Sequence, residues 1–282
     1  MDKGTVAGIA LSFGAITAGL LLEGGKLAQV LQPTAALIVA GGTIGAVLLQ
    51  FPLAIFIASV RHLGIVFFEP HSQGSDLIRC LSNLAQKARR EGIISLDAEL
   101  SLLPDPFLRR ALMLAIDGTE SSELRAIVQL ELDATAEAED ELPRVWEAAG
   151  GFAPTIGIIG AVLGLIQVMQ HLDKIDEVGR GIAVAFVATI YGVGFANLIA
   201  LPIAGKLRHR LRFRQILRDL TLEGVISILE GINPRMLEAK LNGFLRHAGD
   251  PSTAQPNAQR NSQRNSPANS AADLRARLRE SR

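Results

Sequence analysis

Hydrophobic and polar residues alternate along this chain in long blocks, and four apolar blocks approach the ~20 residues that a helix needs to cross a bilayer. These blocks are residues 4–22, 34–57, 152–169 and 181–204. The first has no basic segment before it and no small-residue cleavage site after it, which predicts a retained helix and not a signal peptide. The second contains Gln50 and Pro52, so we expect it to leave the hydrocarbon near Gln50, as a span of about 34–53, and to continue as a bent helix.

Between the second and third blocks lies a polar insert, residues 58–148, whose apolar residues repeat at helical spacing. SDLIRCLSNLAQKARR and TESSELRAIVQLELDATAEAEDELPRVWEAAG show this repeat, and the alternation of a β-strand is hard to find. LPDPF at 103–107 and Asp117-Gly118 predict breaks between helices. The predicted fold is therefore all-α: a polytopic membrane protein with four transmembrane helices and a helical cytoplasmic domain between the second and third.

This pattern divides the chain into five segments. They are an N-terminal transmembrane hairpin (1–57), the insert (58–148), a second transmembrane hairpin (149–204), a helical extension (205–248) and a polar tail (249–282). The tail is rich in Ser, Asn, Gln and Pro and poor in apolar residues, which predicts disorder.

Composition and charge agree with a membrane protein and predict its orientation. Hydrophobic residues make up 49% of the chain, and basic and acidic residues are equal at 28 each, so only their distribution is informative. The connections 23–33 and 170–180 carry one and two basic residues, whereas the insert carries nine and the chain after residue 204 carries fifteen. By the positive-inside rule the insert and both termini are predicted to be cytoplasmic. A single cysteine, Cys80, allows no internal disulfide and fits a reducing compartment.

Small residues recur on one face of each helix of the second hairpin. The third span carries Ala153, Gly157, Gly160, Ala161 and Gly164, and the fourth carries Gly181, Ala185, Thr189, Gly192 and Ala196. In lipid, such faces let two helix backbones approach closely. They either pack the hairpin together and do no more, or they also serve a second function.

No Asp, Glu, Lys, Arg or His lies in the middle of any span. A proton that crosses the membrane here must therefore be carried by a titratable group from a partner's helix. Thr189 supplies a hydroxyl, which either bonds the carbonyl four residues back or contacts water or an ion. Pro154 and Pro202 lie at the predicted cytoplasmic ends of the third and fourth spans. The first is interpreted as a helix-start proline and the second as a tolerated kink, with a hinge as the alternative for both.

The insert contains one mixed charge cluster, KARREGIISLDAEL at 87–100, which is either a solvated face or a docking surface for another protein. The basic stretch GKLRHRLRFRQILRD at 205–219 is predicted to meet anionic lipid headgroups, at about 1 kcal/mol for each basic residue. We find no nucleic-acid-binding pattern, phosphate loop, metal-ligand cluster or nucleophile set in the sequence. No enzyme activity, catalytic residue, metal or cofactor is therefore predicted.

Several stretches together resemble a known family. AGGFAPTIGIIGAVLGLIQVM, AVAFVATIYGVGFANLIALPIAGKL and EGVISILEGINPRML are similar to the third span, fourth span and post-membrane region of the MotA/PomA flagellar stator subunits. LIVAGGTIGAVLL and KARREGIISLDAEL resemble the same family in order, so the likeness covers about residues 4–246.

The resemblance implies a homopentamer in the bacterial inner membrane around a dimer of a single-span, MotB/PomB-like B subunit. The B helix would supply the ion-binding aspartate, and ion flow would turn the A ring to drive the rotor protein FliG. An energiser of the ExbB/TolQ type is the main alternative, although those proteins typically have three spans. A channel that acts alone and a passive scaffold are further alternatives.

The resemblance also implies roles for single residues. Arg89 and Arg90 match the family's rotor-binding basic residues, and Asp97 stands where the family usually has glutamate, so that Glu99 is a candidate to share its role.

In the membrane, Pro154 and Pro202 match two prolines linked to torque, and Thr189 matches the threonine beside the ion path. Ala161 stands where sodium-driven members have threonine, which implies H⁺ as the coupling ion, with Na⁺ as the alternative.

Overall fold

The computed structural model describes residues 3–67 and 73–247, and these residues form helices and no strand. The polar tail 249–282 lies outside the described residues. The helices are α1 (Lys3–Leu22), α2 (Leu27–Val30), α3 (Pro33–Gln50), α4 (Leu53–Arg61), α5 (Leu63–Phe67), α6 (Gln73–Glu91), α7 (Asp97–Leu100), α8 (Pro106–Ile116), α9 (Ser121–Gln170), α10 (Ile175–Phe195), α11 (Leu201–Leu229) and α12 (Pro234–His247). A 3₁₀ turn, Ile93–Leu96, precedes α7, and a π-helical turn, Ala196–Ala200, joins α10 to α11.

Four of the described helices are long and apolar enough to cross a membrane. They are α1 over Gly4–Leu22, α3 over Pro33–Gln50, the 50-residue α9, and the continuous helix Ile175–Leu229 that contains α10 and α11. α1, α9 and the helix Ile175–Leu229 each contain one of the spans expected from hydropathy, and α3 covers the expected second span as far as Gln50. The predicted fold class is confirmed, and the breaks predicted at 103–107 and at Asp117-Gly118 fall between α7 and α8 and between α8 and α9.

The second apolar block is interrupted rather than bent. Phe51 and Pro52 both adopt extended ψ angles of 143° between α3 and α4. Proline has no backbone N–H to continue the helical ladder, and it pushes the preceding residue out of the helical region. The helix therefore stops at Gln50 and a new one starts at Leu53.

The third span is part of a much longer helix, which corrects the interpretation of Pro154 as a helix-start residue. Both Pro143 and Pro154 lie inside α9, which begins at Ser121. An interior proline costs a helix about 3 kcal/mol, because it removes one hydrogen bond and crowds the preceding turn. Packing offsets that cost, since Ala149 before Pro154 and Ala153 beside it are both buried.

The chain forms two compact units. Among the described residues, the first lies within 1–70 and 133–214, and the second lies within 71–132 and 215–282. This division follows contacts and not hydropathy, so the predicted domain boundaries at 148 and 204 stay predictions. α9 and α11 each have residues in both units.

In the first unit α3 packs against both α9 and α10. One buried cluster joins Val47 and Phe51 to Val145, Ala149 and Ala200. A second cluster joins Ala35 and Val39 of α3 to Val187 and Ala188 of α10. α1 differs, because none of the residues in its apolar stretch is buried.

In the second unit α12 packs on α6, and each of these two helices has fully buried leucines. Leu81 of α6 lies so close to Gly224 of α11 that a Cβ at Gly224 would come 2.6 Å from its side chain. Leu237 and Leu241 of α12 are almost completely buried. This core holds the C-terminal end of α6, and hence Arg89 and Arg90, next to the start of α12.

Candidate functional site

The small faces of the third and fourth spans meet with their backbones in contact. A Cβ at Gly157 would lie 2.9 Å from the carbonyl oxygen of Ala188, and a Cβ at Gly164 would lie 2.9 Å from that of Gly181. A Cβ at Gly192 would overlap the carbonyl oxygen of Ala153. Any side chain at these positions would separate the helices, so the small residues are required for this packing.

Gly160 and Ala185 belong to the same interface. A Cβ at Gly160 would lie 2.9 Å from the Cβ of Ala188, and one at Gly164 would lie 3.1 Å from the Cβ of Ala185. The α9–α10 contact therefore extends over several helical turns as one apolar wall.

Thr189 lies on this wall, beside Gly157. A Cβ at Gly157 would be 3.5 Å from the Cα of Thr189. The Thr189 hydroxyl donates to the carbonyl oxygen of Ala185, four residues back, at 3.2 Å. Of the two alternatives for this hydroxyl, the structure contains the hydrogen bond to the carbonyl four residues back. A hydroxyl that donates once still has oxygen lone pairs that can accept from water or face a cation.

Ala161 and Pro154 are half-buried, and Pro202 is exposed. Ala161 lies one helical turn beyond Gly157, so it follows the same side of α9. Its methyl group can offer no oxygen to an ion. The role of each of these residues in ion passage or torque stays a prediction.

Pro202 follows directly on the π-helical turn. The N–H of Leu201 donates to the carbonyl oxygen of Ala196, five residues back, and Pro202 has no N–H to donate. The wider π turn accommodates that missing donor within a continuous helix, and such turns are frequent at functional sites. The π turn lies where a kink near the end of the span was expected, and the kink itself stays a prediction.

In the second unit, the end of α6 and the start of α12 form an open cleft of about 430 Å³. It is lined by Gln86, Arg89, Arg90, Asn233, Pro234 and Arg235. Arg89, Arg90 and Arg235 are exposed, and none of them belongs to an ion pair among the described residues. Three guanidinium groups around one cleft have the charge and geometry that suit carboxylates or phosphates.

The sequence GINPR forms the α12 side of this cleft. Gly231 has a positive φ of 70° after the end of α11, and Asn233 caps α12 by accepting from the N–H of Arg235 at 3.0 Å. Pro234 occupies the first helical position, which suits its fixed φ.

Sequence reasoning missed Arg235 as a site residue. Its signal was present, because a basic residue in the first turn of a helix opposes the helix dipole and needs another reason to be there. Its proximity to Arg89 and Arg90 depends on the packing of α12 against α6, which the sequence pattern does not display.

The two acidic candidates of the segment 87–100 have different surroundings. Glu99 accepts from the ammonium group of Lys87 at 2.6 Å, and this hydrogen bond raises the pKa of Lys87 above its ordinary value. Asp97 is exposed and takes part in none of the ion pairs of the described chain. Of the two carboxylates, Asp97 is the one available to a partner.

Part of the basic stretch 205–219 pairs with acidic residues of α9. Arg208 lies 2.5 Å from Glu147, and Arg214 lies 3.8 Å from Glu139. These arginines have protein partners, so contact of this stretch with lipid headgroups stays a prediction. Within the described residues there is no group of three or more His, Cys, Asp or Glu that could hold a metal ion.

Comparison with known proteins yields two family models that match this chain. A model of the MotA/TolQ/ExbB proton channel family matches residues 100–218, and a model of the N-terminal part of motility protein A matches residues 6–92. Motility protein A of Bacillus subtilis (strain 168) is 38% identical over 247 residues, which are 87% of this chain and 91% of that protein.

Two solved structures also resemble the chain closely. A MotAB structure from C. jejuni aligns with a TM-score of 0.83 at 31% identity, and it covers 91% of this chain and 100% of the matched chain. The flagellar MotAB stator complex from Bacillus subtilis aligns with a TM-score of 0.77 at 38% identity, over 85% and 94% of the two chains.

Proposed function

Since this chain belongs to the MotA/TolQ/ExbB proton channel family, as a flagellar motor stator subunit, we propose that it shares an ion path with a single-span B subunit. The B subunit, a dimer of a MotB/PomB-like protein, supplies the aspartate that binds the ion. The ExbB/TolQ alternative is not favoured, because the close relatives are motility proteins and two spans precede the insert.

The observation that carries this proposal is the wall formed by α9 and α10. The two helices are in backbone contact at Gly157 and Gly164, and their spans contain no Asp, Glu, Lys, Arg or His. An ion that moves along such a wall needs a charged carrier from another chain. The two similar structures are those of MotAB, and this supports a B subunit as the source of that carrier.

The ion gradient is the energy source in this proposal. Each elementary charge that crosses the membrane releases about 2.3 kcal/mol per 100 mV. That is enough to break and re-form weak contacts at each step. In the assembly we propose, five copies surround the B dimer in the bacterial inner membrane, both termini are cytoplasmic, and each step turns the ring of A subunits. Thr189 contributes its hydroxyl oxygen to the path, and Pro154 and Pro202 hinge the two helices.

We assign H⁺ as the coupling ion. A dehydrated Na⁺ ion needs oxygen ligands, and Ala161 offers a methyl group where a threonine would offer a hydroxyl. A proton needs only the carboxylate of the B subunit. Motility that requires sodium and survives collapse of the proton gradient would show that this assignment is wrong.

The second unit acts on the rotor protein FliG in this proposal. Arg89, Arg90 and Arg235 present positive charge around one cleft, and Asp97 presents an uncompensated carboxylate. Charges of this kind orient a partner and speed its binding more than they tighten it. Such contacts suit a stator that must bind and release the rotor repeatedly.

Complementation of a motile bacterium that lacks its own stator genes tests the proposed function. We expect tethered cells to rotate when this chain is expressed with its own B subunit, and not with either protein alone. A B subunit with asparagine in place of its membrane aspartate is the control, and it should assemble without rotation. Rotation without a B subunit, or ion flux through the purified chain alone, would overturn the proposal.

A further inference from the structure

A groove of about 470 Å³ lies between α1 and the end of the fourth span, within the first unit. α1 lines it with Gly4, Gly8 and Ser12, and the facing wall includes Pro202 and Lys206. Neither Gly157 nor Thr189 lines this groove, so it is separate from the proposed ion path.

The groove exists because α1 has a glycine there, Gly8, with open space in front of it. A Cβ at Gly8 would meet no atom within 4 Å, whereas one at Gly157 would meet backbone at 2.9 Å. On the other side, the π turn Ala196–Ala200 and Pro202 interrupt the regular helix surface. The glycines between α9 and α10 therefore allow close backbone contact, whereas Gly8 leaves empty space between α1 and α11.

The interior of the groove suits hydrocarbon. Two of its polar side chains bond within their own helices, since Ser12 donates to the carbonyl oxygen of Gly8 at 2.8 Å and Asn197 donates to that of Val193 at 3.0 Å. The other walls include Ile9, Phe13 and Ile203. A polar metabolite would lose its hydration here without new partners, whereas an acyl chain would not.

One end of the groove is charged. The ammonium group of Lys206 lies there and donates to the hydroxyl of Thr5. Lys206 begins the basic stretch that follows the fourth span, which is where a phospholipid headgroup would lie. Basic residues between transmembrane helices at the cytoplasmic face are typical of sites for anionic lipids.

We propose that this groove binds an anionic phospholipid, with one acyl chain along Gly8 and Ser12 and the phosphate next to Lys206. The groove and the lipid are complementary in polarity and in charge, because the apolar interior would contact the acyl chain and the ammonium group would contact the phosphate. Charge complementarity with this ammonium group favours an anionic headgroup over an uncharged lipid or an apolar helix, either of which would match the interior alone. This proposal does not depend on the stator mechanism.

Native mass spectrometry of the full-length chain, purified in the assembly that it forms, tests the site. The probes are phosphatidylglycerol and phosphatidylcholine with identical acyl chains. We expect about fivefold stronger retention of phosphatidylglycerol, the factor that corresponds to ~1 kcal/mol for one basic residue. Lys206→Gln should remove that preference, and Gly8→Leu should lower the retention of both lipids by filling the groove.

Two matched variants control for general effects. Gly14→Leu makes the same substitution in α1 at a glycine that also has free space but does not line the groove. Arg212→Gln removes an exposed charge of the same basic stretch. Both should retain phosphatidylglycerol as the unchanged chain does.

Equal retention of the two lipids by the unchanged chain would overturn the proposal. So would equal loss in Gly8→Leu and Gly14→Leu, or displacement of the bound species by inorganic phosphate, which would indicate a site for free anions. A disulfide between two copies that carry Ser12→Cys would mean that a second chain occupies the groove. If Gly8→Leu does not assemble, the test rests on Lys206→Gln: an unchanged preference for phosphatidylglycerol in that variant would overturn the proposal. Motility is not a readout here, so failure of this proposal leaves the proposed function intact.

Discussion

The hydroxyl of Tyr191, in the fourth span, donates a 2.6 Å hydrogen bond to the carbonyl oxygen of Val30, in the linker between α1 and α3. The hydroxyl oxygen of Tyr191 also accepts from the N–H of Gln32 at 3.2 Å. The side chain of Tyr191, the only tyrosine of the chain, thus satisfies two backbone groups of the linker. Beside apolar helices, backbone groups need such partners because lipid offers none.

Tyr191→Phe should therefore loosen the N-terminal hairpin. Two backbone groups lose their partner, and we expect the free energy of unfolding to fall by about 1–3 kcal/mol. Thermal unfolding of the purified assembly measures this. Ser12→Ala is the matched control, because its hydroxyl bonds only within α1 and its loss should change little. Equal melting temperatures for Tyr191→Phe and the unchanged chain would contradict the expectation.

Gly157→Ala should weaken the packing of α9 on α10. The added methyl would lie 2.9 Å from the carbonyl oxygen of Ala188, and such overpacking costs about 1–3 kcal/mol. The amount of assembled protein after gel filtration and its melting temperature are the measurements. Gly194→Ala is the control on the facing helix, since its Cβ would meet no atom within 4 Å. If both variants assemble alike, the close contact at Gly157 is not important for stability.

Arg235→Glu should impair contact with the rotor in the same way as Arg90→Glu. The three arginines share one cleft, and reversing one charge should slow association and lower affinity by about three- to tenfold. Surface plasmon resonance against purified FliG, repeated at high salt, measures the change. Arg212→Glu reverses an exposed charge outside the cleft and should bind normally. Normal binding by Arg235→Glu, with loss in Arg90→Glu, would remove Arg235 from this surface.

Acidification should weaken the ion-pair group of the second unit. Hydrogen bonding to Arg125 and Lys240 lowers the pKa of Glu223 below its ordinary value of 4.5. This group therefore adds stability that is full above pH 4.5 and is lost as the pH falls through the lower folded pKa. The effect is modest, at most about 1 kcal/mol, because the partners are largely exposed to solvent.

Urea unfolding between pH 3 and 7 measures this dependence. Glu223→Gln should flatten the part of the profile that lies below pH 4.5 and lower stability at pH 7. Glu123→Gln is the control, since Glu123 is exposed and belongs to none of the ion pairs described. Identical profiles for Glu223→Gln and the unchanged chain would mean that the ion pairs contribute nothing to stability.

Much of the fold could be predicted because it depends on local properties. Hydropathy sums over about 20 residues, so the four spans were evident. Proline and Asp-Gly act within a turn, so the breaks around α8 were evident as well. Pro154 was misread because a proline ends a helix only when nothing offsets its cost. Here residues on both sides of it are packed against neighbouring helices.

The candidate site was only partly accessible from the sequence for the same reason. The small faces and the charges at 87–100 were visible as patterns. The sequence did not show that Glu99 pairs with Lys87 whereas Asp97 stays exposed. Side-chain pairing depends on distances of a few ångströms between residues 12 apart, which no local pattern determines.

By itself, the sequence determined which segments are long and apolar enough to cross a membrane, and that no Asp, Glu, Lys, Arg or His lies in the middle of them. These properties follow from the transfer of each residue between water and lipid, which depends on residue type alone. Only the tertiary structure decided which residues meet. It brought Arg235 to Arg89 and Arg90, Tyr191 to Val30, and left an open groove beside Gly8. These contacts join residues distant along the chain, and they form only where packing and hydrogen bonding outweigh the entropy of closing the chain between them.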